Sequence, residues 1–497
     1  NGEVVTAGQD ATQRRLYYQF QLNYAGTIGT NHNYSLMGLM SRQQDAIGNM
    51  IPSYREDWVF RANYDYKRKY LIDYSGAYNG SEKFAPEYRF AFFSSGGIGW
   101  VLSEEGFMKS LSFLDFLKVR ASYGEVGDDN IGGRFLFMDQ WTYANSSQLG
   151  IVGEGGEYSP YTWYSQSSVG NPEVHWETVY KTNIGVEFDI FNGAINGNFE
   201  YFKDDRKDIL MSGDRSIPSY YGANLGRVIT NGFEFTLGAS HTFENQLRVW
   251  GDFTMTHAEN VVKERDDPEL QVAYQKAQGY QLGQYRTHIS NGYYNSWDEV
   301  YASTTHNSND QFKLPGGMQI LDFNGDGIID SFDAAPFGFS SVPENTFSTN
   351  IGAEWKGLSI YVQFYGVNNV TRDVPLSSLN NRLNRVYEEG SYWSEDNMDP
   401  DSPMPRWGAL MPGYSNGQRY LYDGSYLRLK NAEIAYLFNS EWVRRIGVET
   451  FRVYLNGNNL LLWTDMPDDR ESNFSSAGYA GAYPTVRRIN LGLNVSF

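Results

Sequence analysis

Polar and apolar positions alternate along this chain in runs of about ten residues, the length of a membrane-crossing strand. The clearest run is the last, Thr485 to Phe497. Ile489, Leu491, Leu493, Val495 and Phe497 fall on one face, and Arg488, Asn490, Gly492, Asn494 and Ser496 on the other. A period of two is that of a β-strand. A strand of this kind left unpaired at a sheet edge invites aggregation, so it needs a neighbour. Two architectures provide one. In an outer-membrane barrel the apolar side meets lipid and the polar side a wet lumen; in a β-sandwich the run is a soluble edge strand.

The same alternation returns many times. Tyr18, Phe20, Leu22 and Tyr24 oppose Gln19, Gln21 and Asn23, and Trp58, Phe60, Ala62 and Tyr64 oppose Arg61, Asn63 and Asp65. Leu117, Val119, Ala121 and Tyr123 oppose Lys118, Arg120 and Ser122, while Ile184, Val186, Phe188 and Ile190 oppose Asn183, Glu187 and Asp189. Phe233, Phe235 and Leu237, then Phe347, Ile351 and Ala353, continue the pattern. The ionised residues on the second face discriminate between the architectures. They are costly to bury in a sandwich core but cost little in a hydrated lumen. Two segments are irregular: Leu36, Met37, Leu39 and Met40 straddle both faces, and Tyr426 to Tyr436 slips register near Asn431, as at a bulge.

Connections set the orientation. Short links fall at Gly29 to Asn33, Lys67 to Lys69, Phe191 to Gly193, Phe243 to Gln246 and Lys356 to Gly357. They are rich in Gly, Asn and Lys, as tight turns demand. Long links alternate with them: Gly127 to Asn171, Met211 to Arg227, Val262 to Asn345, Val370 to Asp423 and Asp465 to Ala482. Short periplasmic turns opposite long external loops are the outer-membrane pattern. Ser440 to Val448 reads as a short periplasmic helix capped by Ser440, and Ser103 to Asp115 as a second candidate. The count is about fifteen strands in an all-β transmembrane antiparallel barrel. With Phe497 at the periplasmic rim, the strand Leu16 to Ile28 runs inward and Asn1 sits in an external loop. Single-chain bacterial barrels have even strand numbers and both ends inside. The expectation is therefore that residues 1 to 497 form the C-terminal part of a barrel whose remaining strands lie on a companion N-terminal chain or fragment.

Composition narrows the classes. No run approaches the ~18 apolar residues of a membrane helix. The chain has no Cys, which removes disulfides and thiolate metal sites and suits passage through an oxidising periplasm. A formal charge of −19 argues against a nucleic-acid partner. Catalytic constellations are poor: six scattered His, no Cys, and carboxylate pairs such as Asp204-Asp205 that do not stand out among 59 acidic residues. The expectation is not an enzyme.

The sharpest local motif is Asp322-x-Asn324-x-Asp326-Gly327-x-x-Asp330-x-x-Asp333, inside the long external loop at 262–345. Oxygen donors at positions one, three, five, nine and twelve, a Gly at six for the sharp turn and the Ile328 carbonyl at seven match an EF-hand-type calcium loop, with Ile329 anchoring it beneath. Asp333 stands where the bidentate Glu is usual, and no amphipathic helices flank the loop. The expected cofactor is a structural calcium ion. The alternative is an Asp/Asn/Gly turn held by its own side chains. Aromatic clusters mark other loops: Tyr158, Tyr161, Trp163 and Tyr164; Tyr293, Tyr294 and Trp297; Tyr392 and Trp393. Aromatic rings stack on the apolar faces of sugars, which makes Tyr161, Trp163, Tyr294, Trp297, Tyr392 and Trp393 candidate substrate contacts. Loop packing and contact with a lid protein explain such clusters equally.

Several segments, spread in order over nearly the whole chain, resemble the SusC/RagA class of TonB-dependent outer-membrane transporters of Bacteroidetes. They are Asn171-Pro172-Glu173-Val174-His175-Trp176-Glu177 with Thr182-Asn183-Ile184-Gly185, Asp322-Phe323-Asn324-Gly325-Asp326-Gly327, Gly424-Ser425-Tyr426-Leu427-Arg428-Leu429-Lys430-Asn431, Asn456-Gly457-Asn458-Asn459-Leu460, and Tyr483-Pro484-Thr485 leading to Phe497. The resemblance implies a plugged barrel of about 22 strands, of which about seven and the plug lie outside this chain. It also implies a SusD-like surface lipoprotein as lid, TonB acting on the plug from the periplasm, and an oligosaccharide or peptide substrate. The expected function is TonB-dependent import. A passive or adhesive surface barrel is the alternative, and an outer-membrane hydrolase a third.

Overall fold

The computed structural model describes residues 12–48, 51–144, 163–211, 222–373, 391–398, 403–404, 414, 417–438, 447–466 and 485–497. Fifteen strands form one sheet whose order follows the sequence. They are β1 (Gln13–Ile28), β2 (His32–Ile47), β3 (Ser53–Tyr66), β4 (Tyr70–Ser81), β5 (Phe90–Val101), β6 (Leu114–Asp128), β7 (Glu177–Ile190), β8 (Ile195–Met211), β9 (Ala223–Thr242), β10 (Arg248–Glu264), β11 (Asn345–Trp355), β12 (Leu358–Asn368), β13 (Tyr426–Phe438), β14 (Thr450–Thr464) and β15 (Arg488–Ser496). The expected strand number holds. β1 and β15 stand at the two ends of this order, so the sheet is open there. The chain divides into two compact units, Asn1–Phe233 with Asn260–Asp266, and Glu234–Glu259 with Asp267–Phe497.

In the first unit the apolar alternation points outward. Ile72, Phe92 and Ile98, on strands with neighbours at both sides, are 52%, 58% and 65% exposed. A sandwich would have covered such a row; a barrel gives it to lipid. The straddling segment resolves by register: Leu36 and Met40 sit beside Tyr24 and Phe20 on the outward face, while Met37 and Leu39 pair with Asn23 and Gln21. The short links are tight turns that need positive φ. Lys67 and Arg68 lie at 55° and 57°, and Phe191, Asn192 and Gly193 at 58°, 55° and 79°.

The link after β5 departs from the expected helix. It is a 3-10 turn at Leu102–Glu104 followed by bonds of the same short pitch, from Met108 N–H to the Glu105 carbonyl and from Leu111 N–H to that of Met108. The other helix candidate falls largely on residues 439–446, outside the described residues.

The second unit shows the expected bulge. Gln363 pairs with Asn431 but Phe364 with Leu429, so Lys430 is extruded from β13. Across the next strand the pairing steps from Leu429 with Leu461 to Asn431 with Asn458, and Asn459 turns to a φ of 53° to absorb the mismatch. The two-residue turn Lys356–Gly357, with φ of 45° and 92°, joins β11 to β12.

Candidate functional site

The polar face of the first unit carries a network of paired charges. Arg61 reaches Asp73 at 3.0 Å, Lys181 reaches Asp204 at 2.6 Å, and Glu187 takes both Lys118 and Arg120 at 3.2 Å. Arg120 also bonds Asn183 at 3.1 Å and pairs with Glu200. On the side of the long links Arg206 joins Asp128 at 2.9 Å and Glu177, and Arg227 joins Asp205 at 2.8 Å and Glu264 at 3.0 Å. β5 contributes Gly97 and Gly99 to this face. Above them lies a recess of about 580 Å³ rimmed by Asn63, Asp65, Asp73, Lys118 and Arg120. Every second residue thus faces water rather than core, which is why its charge is tolerated.

Residues of the long link between β6 and β7 fold onto this polar face. Trp176 packs at a tilt against Phe84 and edge-on against Phe93, with Ile131, Leu136 and Val174 completing the cluster. Asn224 fixes the entry to β7, accepting from the His175 N–H at 3.1 Å and donating to its carbonyl at 2.9 Å.

The long segment between β10 and β11 is itself folded. Tyr285–Thr287 pairs with Ala335–Phe337, Ser290–Tyr293 with Met318–Ile320, and Thr305–His306 with Ile328–Ile329 in parallel. The acidic motif forms one turn. Asp322 accepts from the N–H groups of Gly325 at 2.7 Å and Gly327 at 2.8 Å, Asn324 from Asp326 at 2.9 Å, and Asp326 from Ile328 at 2.9 Å. Asp330 caps Phe332 at 2.7 Å, and the fully buried Asp333 accepts from Phe323 and Asp330 at 2.8 Å each. Gly327 has the φ of 86° that the turn requires, and Ile329 is fully buried beneath, as its position predicts. Burial, with the Asp333, Asp326 and Asp330 carboxylates nearby, pushes the Tyr274 hydroxyl above its ordinary pKa. The donor set is all oxygen, as calcium prefers. The carboxylates nevertheless bond backbone N–H groups, and among the described residues no three His, Cys, Asp or Glu side chains are arranged to hold a metal ion. The self-bonded turn accounts for these contacts without an ion.

The candidate aromatic contacts separate. Tyr294 is 1% exposed and Trp393 7%, and Trp393 Nε1 donates to Asn295 Oδ1 at 3.0 Å. Both rings belong to the packing of the loop. Trp297 opens the short helix α1 (Trp297–Ala302), capped by Ser296, and stands half exposed with Tyr301 stacked beside it at 5.9 Å. Tyr392 is half-buried. Tyr158 and Tyr161 lie outside the described residues, as does the Trp163 side chain, although its backbone begins the strand Trp163–Ser168.

Sequence reasoning missed Lys313. Its ammonium is buried and spends its donors on Asp310 at 2.7 Å, Ser303 Oγ at 2.9 Å and the Thr304 carbonyl at 3.1 Å. The spacing of Asp310 and Lys313 on one turn was the available signal.

Comparison with known proteins agrees with this architecture. The family described as "TonB dependent receptor-like, beta-barrel" matches residues 3–460. TonB-dependent receptor P26 of Formosa agariphila is 29% identical over 470 residues, covering 88% of this chain and 45% of that protein. TonB-dependent receptor SusC of Bacteroides thetaiotaomicron is 23% identical over 88% of this chain and 43% of its own length. The solved structure titled the RagAB peptide transporter superposes with a TM-score of 0.73 at 19% identity, over 98% of this chain and 56% of that one. The chain thus spans about half the length of the curated relatives it matches. Its sheet of outward apolar and inward polar rows is that of an outer-membrane β-barrel, and the chain belongs to the TonB-dependent receptor β-barrel family, whose members are receptors and transporters rather than enzymes.

Proposed function

We propose that the intact protein imports oligosaccharide or peptide nutrients across the outer membrane in a TonB-dependent, energised cycle. The observation that carries this reading is the division of each strand between an outward apolar row, such as Ile72 and Ile98, and an inward row of paired charges, such as Arg120 and Glu187. A wall of that kind separates lipid from a hydrated interior. The relatives named SusC and RagAB support transport as its use, and the latter's title supports peptide as one substrate class. The open edges at β1 and β15 are completed by further strands, on a companion chain or fragment that also holds the plug. A SusD-like lipoprotein covers the loop side, and TonB engages from the periplasm. Trp297 is the candidate ring presented to a ligand.

We further propose that calcium converts the self-bonded acidic turn into an ion site, Asp322, Asn324, Asp326, the Ile328 carbonyl, Asp330 and Asp333 exchanging their present backbone N–H bonds for the ion. The ligand spacing and the Gly327 conformation support this reading.

The test is uptake of labelled oligosaccharides and peptides by cells with and without the protein, before and after collapse of the proton gradient. Import predicts accumulation that needs both the protein and the gradient. A passive or adhesive barrel predicts surface binding that survives the uncoupler without accumulation.

A further inference from the structure

Arg372 lies in the short strand Thr371–Asp373, opposite Tyr422 of Leu421–Asp423. This ribbon follows the end of β12 remote from the Lys356–Gly357 turn, so it belongs to the loop side. Several other arginines of the described residues close on carboxylates, as Arg55 on Asp57 and Asp129, Arg61 on Asp73, Arg134 on Glu82, and Arg227 on Asp205 and Glu264. Arg372 does not. Its Nε and Nη2 are shut off from water and neither has a hydrogen-bond partner.

The surroundings are built around this side chain. A Cβ at Gly424 would fall 2.5 Å from Arg372 Cγ and 3.2 Å from Val370 Cγ1, so any larger residue there displaces the arginine stem. Val370 and Tyr426 are buried. The charged neighbour one position on, Asp373, is exposed and does not answer the guanidinium. Burial lowers the pKa of Arg372. The group stays ionised, because a guanidinium does not lose its proton in a protein. A sheltered cation with open donors is costly, and in a chain with 59 acidic residues a partner carboxylate is the common solution.

Nε and Nη2 are neighbours on one edge of the guanidinium, the pair that takes both oxygens of a carboxylate. We propose that Arg372 is a recognition site for the carboxylate of an acidic solute arriving on the loop side, carried by a peptide or by an acidic oligosaccharide. The site rests on the import reading and narrows it to anionic cargo. Because the edge is closed to water, the solute parts the groups that cover it, and the resulting pair forms where charge pairing is strongest.

The experiment measures binding to the intact purified complex by equilibrium dialysis. The probes are tetraglutamate against tetraglutamine, and trigalacturonate against galactotriose. The expected result is that one acidic probe binds about tenfold or more tightly than its neutral counterpart, a difference of about 1.4 kcal/mol. Arg372→Gln then removes the preference, while Arg248→Gln, whose partner is the exposed Glu354, keeps it. The responding pair identifies the source of the carboxylate. A second measurement needs no solute: Arg372→Met leaves the thermal transition unchanged or raises it, since it removes an unpaired charge. Equal binding of acidic and neutral probes, a preference that survives Arg372→Gln, or a lowered transition in Arg372→Met overturns the proposal. Absence of uptake would sink the import reading alone and leave a positive binding result standing.

Discussion

Trp176 meets Phe93 edge-on, with 5.6 Å between ring centroids, and so seats the start of β7 on the polar face of β5. Phe84 packs at a tilt against the same indole at 5.1 Å. The indole is therefore central to the apolar cluster that holds the long link between β6 and β7 against the wall. Trp176→Ala is expected to cost about 3–5 kcal/mol of this docking. Limited proteolysis is the measurement: cleavage within 129–175 accelerates while the strand fragments stay intact. Equal protection in the variant would mean that the polar ties of the link, such as Asn224 to the His175 backbone and Arg134 to Glu82, hold it without the indole.

For the acidic turn, calcium is expected to raise the thermal transition of the purified complex, and a chelator to reverse it. Binding at about 100 times Kd stabilises the loop by about 2.7 kcal/mol. Asp326→Ala removes the response. A transition indifferent to calcium in both forms leaves the turn held by its own Asp322 and Asn324 bonds, as in the structure.

The strands were legible because a barrel wall obeys a local rule. Ile98 and Gly97 differ in fate by one position, and that alternation is written in the sequence. The bulge at Lys430 was visible as a slip for the same reason, since a single extra residue swaps faces. Loop residues obey no such rule. Tyr294 and Trp393 share their residue types with exposed ligand-stacking rings, and only the tertiary fold of the loop buries them. The burial of Lys313 likewise has no mark in the sequence beyond its spacing from Asp310, because the three acceptors that permit it come together only on folding. Arg372 was silent in sequence: nothing local distinguishes an arginine with a carboxylate partner from one without.

Asp310 gives the loop an acid limit. Burial works against its ionised form, but the bond from Lys313 and the His306 N–H prevail and hold its carboxyl below the ordinary value. A carboxyl whose pKa is depressed on folding contributes stability above its unfolded pKa, near 3.9, and that contribution is lost as pH falls through the lower folded value. Hydrogen exchange of residues 294–318 is therefore expected to quicken below about pH 4. Asp310→Asn exchanges faster at neutral pH and loses the acid dependence. An identical acid profile in the variant would assign the transition to another carboxylate.

Leu491 and Asn490 test the two faces one residue apart. Leu491 is 76% exposed on the apolar row of β15, while the Asn490 side chain bonds Asn456 at 2.9 Å on the other. In the intact barrel the first meets hydrocarbon and the second the hydrated interior. Arginine on the lipid side costs about 2–4 kcal/mol near mid-membrane, whereas a lumen position tolerates it. Leu491→Arg should accordingly lower the urea midpoint of the protein refolded in lipid vesicles, and Asn490→Arg should leave it nearly unchanged. Equal losses from both would mean that neither face is wet, and the reading of this sheet as a membrane wall would fail.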